Sequence, residues 1–206
     1  MRKNERYVGR KFITEFIDRE FDGDDDIIRD MITSSKMLKA YDLTPDTTGN
    51  ISARVCGGMY IKAGGKSLDN LTPRDIVFVL DYDKGTNKVV VKGREEPSSE
   101  TPMHWLIYKK FPRVDAIVHV HDSIVLNNID IAKMLKIGIT SKEIEYGTIE
   151  LAEEVVDSLL YGDYIIIKNH GSLSVGDTLE NATRLTIDIH KKILELKLRE
   201  KNEGNC

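Results

Sequence analysis

The chain has 206 residues, of which 40% are hydrophobic and 31% are charged, a composition typical of a folded globular protein. Its 30 basic and 34 acidic residues are interspersed and give a net charge of −4, which argues against a nucleic-acid partner. No apolar run is long enough to cross a bilayer, and the N-terminus lacks the apolar core of a secretory signal. The two cysteines, Cys56 and Cys206, exclude a disulfide framework, so we expect a cytoplasmic protein without a membrane partner.

The first 26 residues differ in pattern from the rest of the chain. Phe12, Phe16 and Phe21 are scattered among charged residues, and three aspartates close the segment at 24–26. This spacing is compatible with a short helix. We therefore expect an N-terminal extension over 1–26 and one domain over 27–206, since the latter range shows no internal repeat or linker.

From Ile27 onward, helical patterns alternate with short strands. Helical periodicity predicts four helices: one from Ile27 that ends before Thr44, one over 101–110, one over 148–160 and one over 179–198. Apolar runs and turn residues predict two hairpins, over 51–63 and 76–92, and two further strands, over 114–121 and 164–168. Helices that bracket hairpin-joined strands predict an α/β sandwich with a mixed, mainly antiparallel sheet.

The strand over 114–121 carries two histidines. Because side chains alternate between faces along a strand, His119 and His121 share one face, while Ala116 and Val118 share the other. Two imidazoles in this arrangement can bind one metal ion. The alternative is a solvated strand face that carries two polar side chains, and this segment alone leaves both interpretations open.

A third histidine, His170, follows the predicted strand over 164–168. By itself it is typical of a turn residue with local hydrogen bonds. Together with His119 and His121 it would complete a set of three nitrogen ligands, the pattern of a catalytic zinc site with one open position. Imidazole ligands also suit iron, cobalt or manganese. For His104 and His190, surface or helix-packing roles are the favoured interpretation.

Three turns rich in glycine or serine are candidate anion-binding loops. They contain Gly49 and Asn50 before a strand, Gly64 and Gly65 after a strand, and Ser98 and Ser99 before a helix. Free N–H groups and hydroxyls at a helix N-terminus favour an anion. Each turn alone is equally typical of an ordinary loop. Glu100, which follows the third turn, could act as a general base or simply favour the start of the helix.

These motifs occur in an order that resembles the class II aldolase/adducin family. The resemblance extends from about Ile27 to Leu196 and rests on five motifs: Thr-Gly-Asn-Ile-Ser (48–52), Gly-Gly (64–65), Ser-Ser-Glu-Thr-Pro with His104 (98–104), His-Val-His (119–121) and Lys-Asn-His-Gly (168–171). It implies a three-layer α/β/α sandwich and a zinc-dependent lyase. Such an enzyme cleaves or forms a sugar 1-phosphate, for example fuculose 1-phosphate, with dihydroxyacetone phosphate and an aldehyde as the fragments.

The resemblance also implies roles for individual residues and an assembly. His119, His121 and His170 would hold Zn²⁺ or another divalent metal, which would stabilise an enediolate as a Lewis acid. Glu100 would move the proton next to the carbonyl and could join the metal ligands in an empty site. The substrate phosphate would be held by six residues: Gly49, Asn50, Gly64, Gly65, Ser98 and Ser99. A homotetramer is implied as well.

The chain departs from the family pattern at three places. The segment between His121 and Thr148 is short, and its one tyrosine, Tyr146, does not align with the tyrosine that donates a proton to the aldehyde oxygen in the family. The tail from Lys197 to Cys206 contains no tyrosine. Gly64 replaces a hydroxyl residue found in many members. Two alternatives therefore stand beside the aldolase: a pentulose-phosphate epimerase or dehydratase, and a non-catalytic adducin-like module.

Overall fold

Nine strands form one mixed sheet in a computed structural model that describes residues 10–203. The strands, in chain order, are β1 (Ile13–Asp18), β2 (Asn50–Val55), β3 (Gly58–Lys62), β4 (Ile76–Asp83), β5 (Lys88–Lys92), β6 (Ala116–Val120), β7 (Gly138–Ile139), β8 (Tyr164–Ile167) and β9 (Gly171–Gly176). Their order across the sheet is β1-β5-β4-β3-β2-β6-β9-β8-β7. Only β1–β5 and β7–β8 of these described strands pair in parallel, so the prediction of a mixed, mainly antiparallel sheet is confirmed.

Helices cover both faces of this sheet. They are α1 (Asp25–Lys39), α2 (Thr101–Lys110), α3 (Ser123–Leu126), α4 (Ile129–Met134), α5 (Ile149–Ser158) and α6 (Leu179–Glu203). Apolar side chains of α2 and α5 pack on one face, while those of α1, α3, α4 and α6 pack on the other. The result is the three-layer α/β/α sandwich. Over residues 10–203, every helix is too short or too polar to span a bilayer.

The four longer helices and both hairpins lie where the sequence predicts them. The strand β1, in contrast, is not predicted from the sequence. Within 1–26 the sequence is compatible with a short helix, whereas the structure places an edge strand at Ile13–Asp18, parallel to β5. Burial alternates along this segment, as it does in a strand with one covered face. Thr14 and Phe16 are partly buried, while their neighbours are exposed. Residues 1–9 of the expected extension, and Cys206, lie outside the described residues.

The three central strands position the histidines. β6 lies between β2 and β9, and His119 pairs across the sheet with Asn50 on one side and Leu173 on the other. All five residues of β6 are buried, because helices cover both of its faces. The alternative of a solvated strand face is therefore wrong for His119, whereas His121 follows the strand and is half-buried.

The turn between β8 and β9 brings His170 beside β6. Asn169 adopts a left-handed conformation (φ 58°), and the His170 N–H donates to the carbonyl of Ile167 over 3.0 Å. Gly171 then starts β9 with almost no room for a side chain. A Cβ at that position would lie 2.5 Å from the Val120 carbonyl oxygen and 2.8 Å from Cε1 of His119.

We therefore expect Gly171→Ala to destabilise the protein by about 2 kcal/mol, a typical cost of overpacking a closed interior. Urea denaturation would measure the change. Gly162→Ala is the matched control, because no atom lies within 4 Å of a Cβ at Gly162, and it should stay within about 0.5 kcal/mol of the parent. Equal stability of the two variants would contradict the close approach at Gly171.

Candidate active site

Three imidazoles meet at the end of the central strands. The ligand nitrogens of His119, His121 and His170 all lie within 4.8 Å of one another, and Nε2 of His119 is 3.1 Å from Nε2 of His121. Two nitrogens on a tetrahedral zinc ion are separated by about 3.3 Å, given Zn–N bonds of about 2.0–2.1 Å. The donor set therefore fits a divalent cation.

The surroundings of the imidazoles also suit metal binding. Nδ1 of His119 lies 2.9 Å from the carbonyl oxygen of Ser172, so Nδ1 carries the proton and donates it, and Nε2 remains as a ligand. Burial, together with the neighbouring His119 and His170, lowers the pKa of His121 to about 3. His121 is accordingly neutral at pH 7, the form that coordinates a metal.

Glu100 directs its carboxylate at this cluster from the residue before α2. Its Oε1 lies 2.9 Å from Nε2 of His170, and its Oε2 lies 3.2 Å from Nε2 of His119. Asn50 donates from its side-chain amide to Oε2 over 2.7 Å. Burial raises the pKa of Glu100, but the three histidines outweigh that effect and hold it well below its ordinary value. Glu100 is an ionised carboxylate at neutral pH.

A cleft of about 130 Å³ is lined by Glu100 and by two members of this cluster, His121 and His170. Every residue of the three candidate anion-binding loops lines it: Gly49, Asn50, Gly64, Gly65, Ser98 and Ser99. Gly65 has φ 71° and open space around its α-carbon, whereas a Cβ at Gly49 (φ 70°) would lie 2.7 Å from the His119 carbonyl oxygen. Three loops that lie far apart in the sequence thus line one cleft.

Two lining residues have surroundings that the sequence does not reveal. Lys62 is 2% exposed and donates to the carbonyl oxygens of Thr47 and Lys66, so it joins two of the anion-binding loops. Burial lowers its pKa to about 8, although Glu100 and Asp75 act in the opposite direction. A lysine at the end of an apolar strand is normally exposed, and no local signal marks this one.

Tyr146 is the second such residue. It lines the cleft together with Glu100, His121 and His170, and its ring lies parallel to that of His170 with centroids 6.1 Å apart. The sequence shows Tyr146 as a residue without a family counterpart. Its place in the cleft depends on how the loop before α5 folds back over the β8–β9 turn.

His104 and His190 are buried helix residues outside the three-imidazole cluster. Nδ1 of His104 lies 2.7 Å from the hydroxyl of Ser52, and Nδ1 of His190 lies 2.8 Å from a carboxylate oxygen of Asp122. Both contacts fix a helix to the sheet or to a loop, which agrees with the helix-packing roles predicted for these two residues.

The model of the class II aldolase and adducin N-terminal domain matches residues 29–193. The chain belongs to this family. The match covers all three histidines and Glu100, and it confirms the resemblance found in the sequence. The N-terminal strand β1 lies before the matched range.

Two relatives and one solved structure illustrate the range of activities in the family. The chain is 29% identical over 166 residues to the 5-methylthioribulose-1-phosphate/5-deoxyribulose-1-phosphate aldolase of Escherichia coli, covering 73% of each chain. It is 31% identical over 142 residues to a probable L-ribulose-5-phosphate 4-epimerase of Mycoplasma pneumoniae, covering 68% of this chain and 57% of the relative. The structure of an L-fuculose 1-phosphate aldolase superposes with a TM-score of 0.72 at 26% identity, over 88% of this chain and 89% of that one.

The lowered pKa of Lys62 predicts how anion binding depends on pH. Lys62 is protonated below about pH 8 and neutral above it, so its attraction for a phosphate is present at pH 7 and fades as the pH rises. A bound dianion shifts this midpoint upward, because it favours the charged amine. We expect the affinity for dihydroxyacetone phosphate, measured by calorimetry, to fall between pH 7 and pH 9.5.

Lys62→Met is the matched variant for this prediction. It should bind dihydroxyacetone phosphate roughly tenfold to a hundredfold more weakly at pH 7, the usual effect of losing one charged hydrogen-bonding contact. Its affinity should also fall much less than that of the parent as the pH rises from 7 to 9.5. A variant that retains the full pH dependence would show that another group is responsible.

Proposed function

We propose that this protein is a divalent-metal-dependent aldolase that cleaves or forms a sugar 1-phosphate, such as fuculose 1-phosphate. The fragments are dihydroxyacetone phosphate and an aldehyde. One observation carries the proposal: a cleft lined by His121, His170, Glu100 and all three anion-binding loops lies at a cluster of three imidazoles that can bind a metal ion. A carbon–carbon lyase acting on a phosphorylated ketose needs these three components together.

In this proposal His119, His121 and His170 hold the metal, and Zn²⁺ is the ion that their nitrogens suit best. When bound, such a cation supplies Lewis-acid stabilisation of the negative charge that develops on the substrate oxygens. Glu100 lies close enough to the same nitrogens to join the ligand set when no substrate is present.

Glu100 is the proposed base. As an ionised carboxylate it can accept a proton from the carbon next to the substrate carbonyl and return it in the reverse direction. Asn50 holds one of its oxygens, which fixes the direction of the carboxylate. The substrate must therefore present that carbon to Glu100 at the end of the cleft where the histidines lie.

The anion-binding loops hold the phosphate in this proposal. Ser98 and Ser99 precede the N-terminus of α2, where the helix dipole favours negative charge. Gly49, Gly64 and Gly65 allow the backbone to approach the phosphate closely. Asn50 has two amide hydrogens, and donation of one to Glu100 leaves the other for the phosphate. These contacts provide binding energy remote from the reacting carbons.

A second candidate function is epimerisation of a pentulose phosphate. It is favoured by the similarity to the probable L-ribulose-5-phosphate 4-epimerase and would use the same metal and phosphate sites. The products distinguish the two functions, because an aldolase yields two fragments and an epimerase leaves the carbon chain intact. The presence of all three histidines with Glu100 argues against a non-catalytic adducin-like module. We further propose a cytoplasmic homotetramer, as the family resemblance implies.

Proton exchange tests the proposed function with dihydroxyacetone phosphate alone, so no aldehyde has to be chosen. Incubation of dihydroxyacetone phosphate with the protein and Zn²⁺ in D₂O should remove one C3 proton signal stereospecifically, as followed by NMR. A chelator should abolish the exchange, because the charge left on the substrate then lacks its cation. Absence of exchange by folded, metal-loaded protein would contradict the aldolase proposal.

Glu100→Gln should retain the metal and lose at least about a hundredfold in exchange rate, the lower range for loss of a general base. Glu153→Gln is the control, since Glu153 lies on α5 in an exposed ion pair with Lys84. Normal exchange by Glu100→Gln would remove Glu100 from the role of base.

His119→Ala should lose most of the bound metal, measured by elemental analysis after dialysis against a weak chelator. His119 supplies a ligand nitrogen whose direction is fixed by Ser172, so its removal leaves only two imidazoles. Circular dichroism would verify that the variant is folded. Metal content equal to that of the parent would show that these histidines do not form the site.

A further inference from the structure

The segment before the family-matched range touches the loops around the proposed active site. The match begins at residue 29, whereas residues 10–18 contribute an edge strand and two basic side chains that contact these loops. One of the two, Lys11, bears on the choice of substrate. Its role rests on the proposed function and adds a determinant of specificity to it.

Lys11 lies against the loop that carries Tyr146. Its ammonium nitrogen is 2.9 Å from a carboxylate oxygen of Glu145 and 5.7 Å from the centroid of the Tyr146 ring. That nitrogen is buried although the side chain as a whole is partly exposed. An ammonium group within about 6 Å of an aromatic ring attracts it. Lys11 thus contacts two consecutive residues of the loop.

Tyr146 also stacks on His170, one of the proposed metal ligands. The rings of Tyr146 and His170 are nearly parallel, with an interplanar angle of 10°. Both residues line the main cleft, and both also line a second hollow bounded by Lys168 and Asn169. The residues that line this second hollow include no member of the three anion-binding loops, all of which the structure describes. Tyr146 and His170 therefore lie at the boundary between the cleft that contains the phosphate loops and this second hollow.

The aldehyde fragment would lie on the side of the second hollow, because none of the anion-binding loops lines it. In dihydroxyacetone phosphate, the carbon that carries the phosphate and the carbon that attacks the aldehyde lie on opposite sides of the carbonyl, so a phosphate held by Ser98 and Gly65 directs the new bond away from them. The Tyr146 ring would then contact the aldehyde substituent. Its position determines the width of this part of the cleft.

The same N-terminal segment is also anchored at a second point. Arg10 pairs with the carboxylate of Glu96, and the Thr14 hydroxyl lies 3.5 Å from that carboxylate. The Glu96 carbonyl accepts a hydrogen bond from the N–H of Gly64 over 2.9 Å. The segment is therefore attached to the fold independently of Lys11, and loss of Lys11 should not detach β1.

We propose that Lys11 is a positioning residue that holds Tyr146 against His170 and thereby sets the specificity of the aldehyde half of the site. Lys11 touches neither the metal ligands nor the phosphate loops. Its removal should leave dihydroxyacetone phosphate binding and proton exchange unchanged, and should affect only the step that needs the aldehyde.

The test compares Lys11→Met, Lys11→Arg and Lys88→Met in the full chain loaded with Zn²⁺. Methionine keeps an apolar stem and removes the charge, whereas arginine keeps a cation that can pair with Glu145 and stack on Tyr146. Lys88→Met is the matched control, because Lys88 pairs with Glu15 of β1 over 2.6 Å but does not line the cleft. Condensation of dihydroxyacetone phosphate with glycolaldehyde and with lactaldehyde gives KM and kcat for the aldehyde.

For Lys11→Met we expect the aldehyde KM to rise about three- to tenfold, in line with one partly exposed ion pair and one cation–π contact. Its kcat and its D₂O exchange rate should stay within about twofold of the parent. Lys11→Arg should restore most of the KM, and Lys88→Met should behave as the parent. A crystal structure of Lys11→Met should show the Tyr146 ring moved away from His170.

Either an unmoved Tyr146 ring or an unchanged aldehyde KM in Lys11→Met overturns this inference. The crystal structure decides the question even where neither aldehyde is a substrate. Failure of the proposed function looks different, because the parent protein itself would then show no exchange in D₂O. The two failures are therefore distinguishable in one set of measurements.

Discussion

Glu100 is 6% exposed, and a carboxylate removed from water is costly unless charged or polar partners surround it. Its partners come from three different elements: Asn50 from β2, His119 from β6 and His170 from the β8–β9 turn. Because Glu100 itself precedes α2, these contacts also tie the start of α2 to the sheet. The order of the central strands, β2-β6-β9, is what makes the three partners converge. The strand order that defines the fold therefore also supplies the polar partners that the buried Glu100 carboxylate needs.

The parts of the fold that follow local rules could be predicted from the sequence. The alternation that places Ile117 and His119 on the α2–α5 face, and Ala116, Val118 and Val120 on the other, requires only the geometry of a strand. The helices carry periodic apolar stripes, so their positions could be predicted as well. That His170 approaches β6 could be expected only from the resemblance to a family, because a distance between residues far apart in sequence is not a local property.

The features that could not be predicted depend on tertiary contacts. Lys62 has the sequence context of an ordinary exposed lysine, and only the two loops that accept its hydrogen bonds make it a buried residue. The apolar residues around β1, Phe12, Ile13, Phe16 and Ile17, recur four residues apart, a spacing that is also compatible with a short helix. Pairing with β5 favours the strand over the helix, because the strand gains backbone hydrogen bonds there. Tyr146 likewise takes its place only when its loop folds over the β8–β9 turn.

The separation of the three imidazoles along the chain has a thermodynamic consequence. His119 and His121 lie at the end of β6, whereas His170 reaches them only after β9 has paired with β6. The unfolded chain cannot present all three nitrogens together, so a cation held by them would bind almost exclusively to the native state. Such selective binding adds a free energy of RT ln(1 + [M]/Kd) to folding, about 4 kcal/mol at a thousandfold excess over Kd. The melting temperature would then report the free metal concentration around the protein.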